Sequence, residues 1–215
     1  MDSEYPDNKL TGATFEVYKD SNGSGKLDDG DELLGTLTEK EKGEYSMKDL
    51  FYGRYFVKET KAPEGFVLDT GVYEVMIDTD GKTCEVENKA GVGFINEAMR
   101  GNLKIVKTSS DGKIKGFAFR ITGANGYDII LETNDKGEIF IDGLRIGDYT
   151  ISEVSNSASS MYVIPADKKA TVKLGSTTIV EMHNVLRDTP KTGDTTNLPL
   201  LYTLAGLSAV GIAVS

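Results

Sequence analysis

Tryptophan is absent from the 215 residues, cysteine and histidine occur once each, as Cys84 and His183, and proline only five times. A single thiol closes no disulfide within the chain. One imidazole and one thiol supply neither a zinc cluster nor a choice of Cys-His or Ser-His-Asp sets. Basic charge is scarce too: 24 Lys and Arg face 34 Asp and Glu, for a formal charge of −10. A chain of that sign cannot draw on counterion release from a phosphate backbone, which argues against nucleic acid as a partner. The deficit is local. Residues 1–97 carry 11 basic and 22 acidic side chains, a balance of −11, whereas residues 98–186 carry 11 and 10. What the chain does have is 24 Gly, 10 Tyr and 8 Phe within a composition 39% hydrophobic and 27% charged. That mixture builds cores, excludes general disorder and leans toward strands and turns.

From residue 11 to residue 186 apolar and polar residues alternate in short runs broken by turn residues, the signature of an all-β chain. Strands are expected at 14–19, 33–37, 44–47, 54–59, 72–77, 83–87 and 93–96, then at 102–108, 117–122, 127–132, 138–141, 148–154, 169–174 and 177–184. Seven short strands in each half close best as two packed sheets, since a single sheet would leave one apolar face in water. The expectation is two tandem β-sandwiches, 1–97 and 98–186, joined near Ala98–Gly101, with minimal helix.

The halves repeat each other. Gly12-Ala13-Thr14-Phe15-Glu16-Val17 matches Gly116-Phe117-Ala118-Phe119-Arg120-Ile121. Lys42-Gly43-Glu44-Tyr45 with Asp49-Leu50 and Gly53-Arg54-Tyr55 matches Lys136-Gly137-Glu138-Ile139 with Gly143-Leu144 and Gly147-Asp148-Tyr149. Each tyrosine precedes a glutamate by four residues, Glu59 and Glu153, and each half ends in an apolar strand carrying an asparagine, Asn96 and Asn184. The second half opens with Leu103-Lys104-Ile105-Val106-Lys107, for which the first half has no counterpart. After Asn184 a polar linker, 187–197, leads to an uncharged stretch, 198–215, of which 198–214 is long enough for a hydrophobic helix that spans a membrane. No signal peptide precedes the first strand and no basic cluster follows the apolar stretch. The expectation is of a chain clipped at both ends.

The segment Tyr55-Phe56-Val57-Lys58-Glu59-Thr60-Lys61-Ala62-Pro63-Glu64-Gly65-Phe66 resembles the E-box of Gram-positive pilins, Tyr-x-Leu-x-Glu-Thr-x-Ala-Pro-x-Gly-Tyr, with Val57 for Leu and Phe66 for the last Tyr. Both halves resemble SpaA-type, prealbumin-like modules, also called collagen-adhesin B-type, an immunoglobulin-like sandwich. Thr189-Pro190-Lys191-Thr192-Gly193 is similar to the sorting signal Leu-Pro-x-Thr-Gly, departing at Thr189. The resemblance implies cleavage by a sortase between Thr192 and Gly193 and attachment of the Thr192 carboxyl to peptidoglycan. It also implies an intramolecular isopeptide bond between a first-strand lysine and a last-strand asparagine, promoted by a buried acid. In the second half these are Lys107, Asn184 and Glu153. In the first half Glu59 and Asn96 are present without the lysine, which the family places at or just before Met1, because Lys9 is too near Gly12.

Alternation supports that assignment independently. Leu103, Ile105 and Lys107 share one strand face, as do Tyr149, Ile151 and Glu153, and Val180, Met182 and Asn184. Three polar residues on core faces are costly unless they satisfy one another. His183 falls on the opposite, surface face, and Cys84 reads as a strand residue that matters for its burial.

Asp20, Asn22, Ser24, Asp28 and Asp31 stand at positions 1, 3, 5, 9 and 12 of a stretch with Gly25 at position 6. That is the spacing of a Ca²⁺ loop, with Asp31 where a longer bidentate Glu is usual. The same residues read equally well as an acidic hairpin loop; no other cofactor is implied. The functional expectation is a non-enzymatic stalk, minor pilin or adhesin fragment on the surface of a Gram-positive bacterium. Its partners would be a sortase and peptidoglycan, and other pilus subunits or a host ligand. The alternative is the stalk and anchor of a larger surface enzyme. Tyr5-Pro6-Asp7-Asn8-Lys9 is not the Tyr-Pro-Lys motif of shaft pilins, which argues against a shaft role.

Overall fold

A computed structural model describes residues 1–88 and 91–188. The sorting motif 189–193 and the apolar stretch 198–215 lie outside them. Among the described residues the chain is all-β, with one short 3₁₀ turn at Ala124–Gly126 and no helix long and apolar enough to cross a membrane.

Domain two is a complete sandwich. Its strands are β9 (Arg100–Ser109), β10 (Ala118–Thr122), β11 (Asp128–Glu132), β12 (Glu138–Arg145), β13 (Gly147–Val154), β14 (Tyr162–Val163), β15 (Lys168–Val172) and β16 (Thr177–Leu186). One sheet runs β11-β10-β13-β15 and the other β12-β9-β16-β14. All neighbouring strands are antiparallel except β9 and β16, the first and last of the domain, which lie side by side in parallel. Strict alternation turns Leu103, Ile105, Phe119, Ile121, Ile151, Val180 and Met182 inward to form one core. Burying a side chain of that size contributes roughly 1.5–3 kcal/mol.

Domain one has one full sheet, β2-β1-β5-β6, made of β1 (Thr14–Lys19), β2 (Glu32–Thr36), β5 (Gly53–Lys61) and β6 (Val72–Ile77). The facing layer is in pieces: the hairpins β3 (Thr38–Glu41) with β4 (Glu44–Ser46) and β7 (Glu87–Asn88) with β8 (Gly91–Val92), and a single parallel bridge from Asp2 to Asn96. Phe15, Val17, Tyr55, Val57 and Phe94 fill the core between them.

Several expected elements differ. Residues 83–86 and 93–96 are not strands. The second is the counterpart of β16, and the ladder partner that β9 supplies in domain two is reduced in domain one to Asp2, which supports a bridge but no ladder. Cys84 is therefore half-buried outside any strand. Strand β3 escapes pattern reading because all four of its residues are exposed, and β14 because it is only two residues long.

The repeated Lys-Gly-Glu motif has a steric cause. Gly43 and Gly137 both adopt left-handed backbone, at φ 70° and 73°. A Cβ on Gly137 would lie 2.7 Å from Ile114 Cβ and 2.9 Å from the Lys107 carbonyl oxygen; one on Gly43 would lie 2.8 Å from Lys9 Cβ and 2.9 Å from the Leu10 carbonyl oxygen. The repeated tyrosines are also equivalent: Tyr55 donates to the Phe51 carbonyl at 2.7 Å and Tyr149 to the Arg145 carbonyl at 2.9 Å.

Candidate functional site

Lys107 on β9, Asn184 on β16 and Glu153 on β13 meet in the core of domain two. Lysine and asparagine come from adjacent strands of one sheet; the register sets Lys107 opposite Met182 and Ser109 opposite Asn184. The glutamate reaches across from the other sheet. All three are buried, at 1%, 0% and 7% exposure, for polar residues that are ordinarily at the surface.

Asn184 Nδ2 lies 2.6 Å from Glu153 Oε1. Glu153 Oε2 and Asn184 Oδ1 have no hydrogen-bond partner. Lys107 Nζ donates to the Thr108 carbonyl and stands 4.0 Å above the centroid of the Phe117 ring. Burial drives Glu153 above the ordinary carboxylate range, against the opposing pull of the Asn184 amide and the Lys107 charge. Burial also lowers the Lys107 ammonium, although Glu153 and Asp111 act the other way. Both shifts favour the neutral amine and the neutral acid.

A separation of 2.6 Å is short for N–H···O and ordinary for O–H···O. A half-turn of the Asn184 amide, which exchanges its oxygen and nitrogen, converts the contact into a bond from a protonated Glu153 to the asparagine carbonyl. The acid is then seated to stabilise charge on that oxygen as a nucleophile adds to Cγ.

Domain one repeats two thirds of the arrangement. Glu59 and Asn96 are 4% and 2% exposed, and Asn96 Nδ2 donates to Glu59 Oε2 at 2.8 Å and to the Val67 carbonyl at 3.1 Å. Glu59 Oε2 also accepts the Asp69 amide at 2.7 Å, while Oε1 has no partner. Burial raises this carboxyl as well. The Asp2–Asn96 bridge corresponds to the Ser109–Asn184 pair, so the register of Lys107, two residues earlier, falls one residue ahead of Met1. Lys9 lies on the surface, paired with Glu44.

The other expected site residues do not converge. Asp20 accepts the amides of Ser24 and Gly25 and pairs with Arg54; Asp31 accepts those of Ser21 and Asp28; Asp28 accepts from Asn22 Nδ2 and the Gly30 amide. Among the described residues no group of three or more His, Cys, Asp or Glu is gathered for a metal ion. The carboxylates of this stretch face backbone amides and a guanidinium, as they would in an acidic hairpin loop. His183 is exposed and shares a hydrogen bond with Thr108 Oγ1 at 2.9 Å. The Phe117 platform escaped sequence reasoning; the available signal was that Phe117 follows Gly116 where the other half has Ala13 after Gly12.

The sequence profile of the SpaA prealbumin-like fold domain matches residues 2–90 and 101–185, and the chain belongs to that family. No curated protein matches it. Among solved structures, the Bacillus anthracis TIE protein superposes with a TM-score of 0.59 at 23% identity, over 87% of this chain and 32% of that one. The pilus adhesin SpaC from Lactobacillus rhamnosus GG gives 0.52 at 14% identity, over 84% and 29%. At those identities the likeness is one of fold, and this chain spans about a third of the length of each.

Proposed function

We propose that this chain is a non-enzymatic surface module of a Gram-positive bacterium, a stalk, minor pilin or adhesin segment, whose second domain ties itself with a Lys107–Asn184 isopeptide bond. The observation that carries the reading is the burial of a lysine, a glutamate and an asparagine together, on the first, central and last strands of one sandwich. Lys107 is 1% exposed and has no carboxylate hydrogen bond; the Thr108 carbonyl and the Phe117 ring are what it touches.

The chemistry balances. The ammonium of Lys107 passes a proton to the Glu153 carboxylate, leaving a neutral amine beside a neutral acid. The amine nitrogen adds to Asn184 Cγ while Glu153 donates to the carbonyl oxygen. Collapse breaks the bond from Cγ to the original amide nitrogen, which takes a proton and departs as ammonia. One C–N bond forms, one breaks, and nothing is oxidised. Folding supplies the effective concentration, and the reaction occurs once per molecule, so the chain is not an enzyme in the turnover sense.

Residues 189–193 would then present the chain to a sortase for transfer to peptidoglycan, with 198–214 held in the membrane until that step. Other pilus subunits or a host ligand would be the partners displayed beyond the wall. Protease digestion tests the bond: the reading expects one branched peptide joining the Lys107 and Asn184 segments, absent from Glu153→Ala. Recovery of both segments as separate, unmodified linear peptides from the native chain would refute it.

A further inference from the structure

One guanidinium spans the two domains. Arg145 closes β12, where its backbone carbonyl accepts the Tyr149 hydroxyl, but its side chain leaves domain two and enters domain one. Nη1 and Nη2 donate to the two Asp2 carboxylate oxygens at 2.7 Å each, a forked pair, while Nε and Nη2 reach Glu4 Oε2 at 3.0 and 2.8 Å. The Tyr5 ring centroid lies 4.8 Å from the guanidinium carbon and that of Phe66 5.8 Å. Arg100 pairs with the other oxygen of Glu4. The Asp2 side chain is fully enclosed and that of Arg145 is 16% exposed. A planar fork between aromatic faces and a bidentate carboxylate is a site only arginine fills.

The connector is held on the same line. Val67 donates to the Glu97 carbonyl and Met99 to the Gly65 carbonyl, both at 2.8 Å, while Ile146, next to Arg145, donates to the Met99 carbonyl at 3.0 Å. Residues 97–99 thus run as a short extended seam bonded to both domains. Asp2 itself bridges to Asn96, so the residue gripped by domain two is the one in first-strand register beside the Glu59–Asn96 pair.

We infer that Arg145 is an interdomain latch: its closure on Asp2 makes the two domains one rigid body and seats the first-strand segment of domain one against Asn96. Opening it leaves the Asp2 carboxylate with the Glu4 and Tyr5 amides and without its counter-charge, so the joint is either shut or substantially released. The device does not depend on the isopeptide bond, since every group in it lies outside the Lys107 site. In a stalk it would pass tension from one module to the next without a swivel.

The test is backbone amide relaxation on the full chain. The wild type is expected to show one rotational correlation time shared by both domains. Arg145→Ala is expected to give two shorter ones, with Arg145→Lys also loosened because an ammonium cannot fork. Asp2→Asn, made on the opposite side, should loosen the joint as Arg145→Ala does, and the exchanged pair Arg145→Asp with Asp2→Arg should restore common tumbling. Retained dispersion of the amide spectrum in each domain shows that the folds survive. Separate tumbling in the wild type, or common tumbling in both single variants, would overturn the latch. Loosening in Arg145→Ala without loosening in Asp2→Asn would do so too, by confining Arg145 to a role within domain two.

Discussion

Burial raises the Glu59 carboxyl against the opposing pull of the Asp69 amide, the Asn96 side chain and the Met1 amino terminus. Burial holds its folded pKa above the value in the unfolded chain, so the unfolded state releases its proton first. The stability the neutral acid contributes is complete below the unfolded pKa and is lost as pH rises through the raised folded value. Domain one is therefore expected to melt at falling temperature as pH climbs through that window, and Glu59→Gln, which stays neutral, should flatten this slope. A slope unchanged by the substitution would show that other groups set it. Gly137 makes a second residue-scale case. Its left-handed backbone and the 2.7 Å approach to Ile114 leave no room for a methyl group, and the backbone alone costs a non-glycine about 1–2 kcal/mol. Gly137→Ala should lower the denaturant midpoint of domain two by at least that much free energy. Gly112→Ala, at φ 80° with open space around it, should cost only the backbone share.

At the scale of elements the proposed covalent tie would have the largest consequence. Joining β9 to β16 at Lys107 and Asn184 closes 78 residues, counted inclusively, and a cross-link of that span is worth roughly 4–5 kcal/mol by loop entropy. Lys107→Ala should lose about that stability in denaturant titration, together with what a cavity beside Phe117 costs. The shared face was legible in the sequence, because period-two alternation placed Leu103, Ile105 and Lys107 together and burial follows it residue by residue. The failures also have causes. Strand pairing is non-local, so residues 93–96 carry the pattern of β16 without its ladder, and β3 pairs with no apolar alternation at all. The spacing of oxygen side chains in 20–31 was visible too; the turns that set Asp20 and Asp31 on their own loop amides are backbone geometry that spacing does not encode. Arg145 gave no sequence signal, since its partners lie more than 140 residues away.

On the scale of the molecule the two domains share a fold and differ in chemistry. Domain one carries the acidic charge and buries Glu59 with Asn96; domain two is near neutral and buries Lys107 with Glu153 and Asn184. If the linker 187–197 and the apolar stretch serve sorting, wall-associated protein should end at Thr192, and recovery of most of it with an intact Ser215 would refute that role. The central claim concerns the bond, and the most direct measurement is the intact mass of the folded chain. The account predicts a mass one ammonia below the sequence value, restored in full by Lys107→Ala, Glu153→Ala or Asn184→Ala, the second while both bonding partners are still present. It further predicts the loss of a second ammonia when one lysine is inserted directly before Met1, in the register that faces Asn96. A wild-type chain at its full sequence mass, folded and with Lys107 still buried, would contradict it.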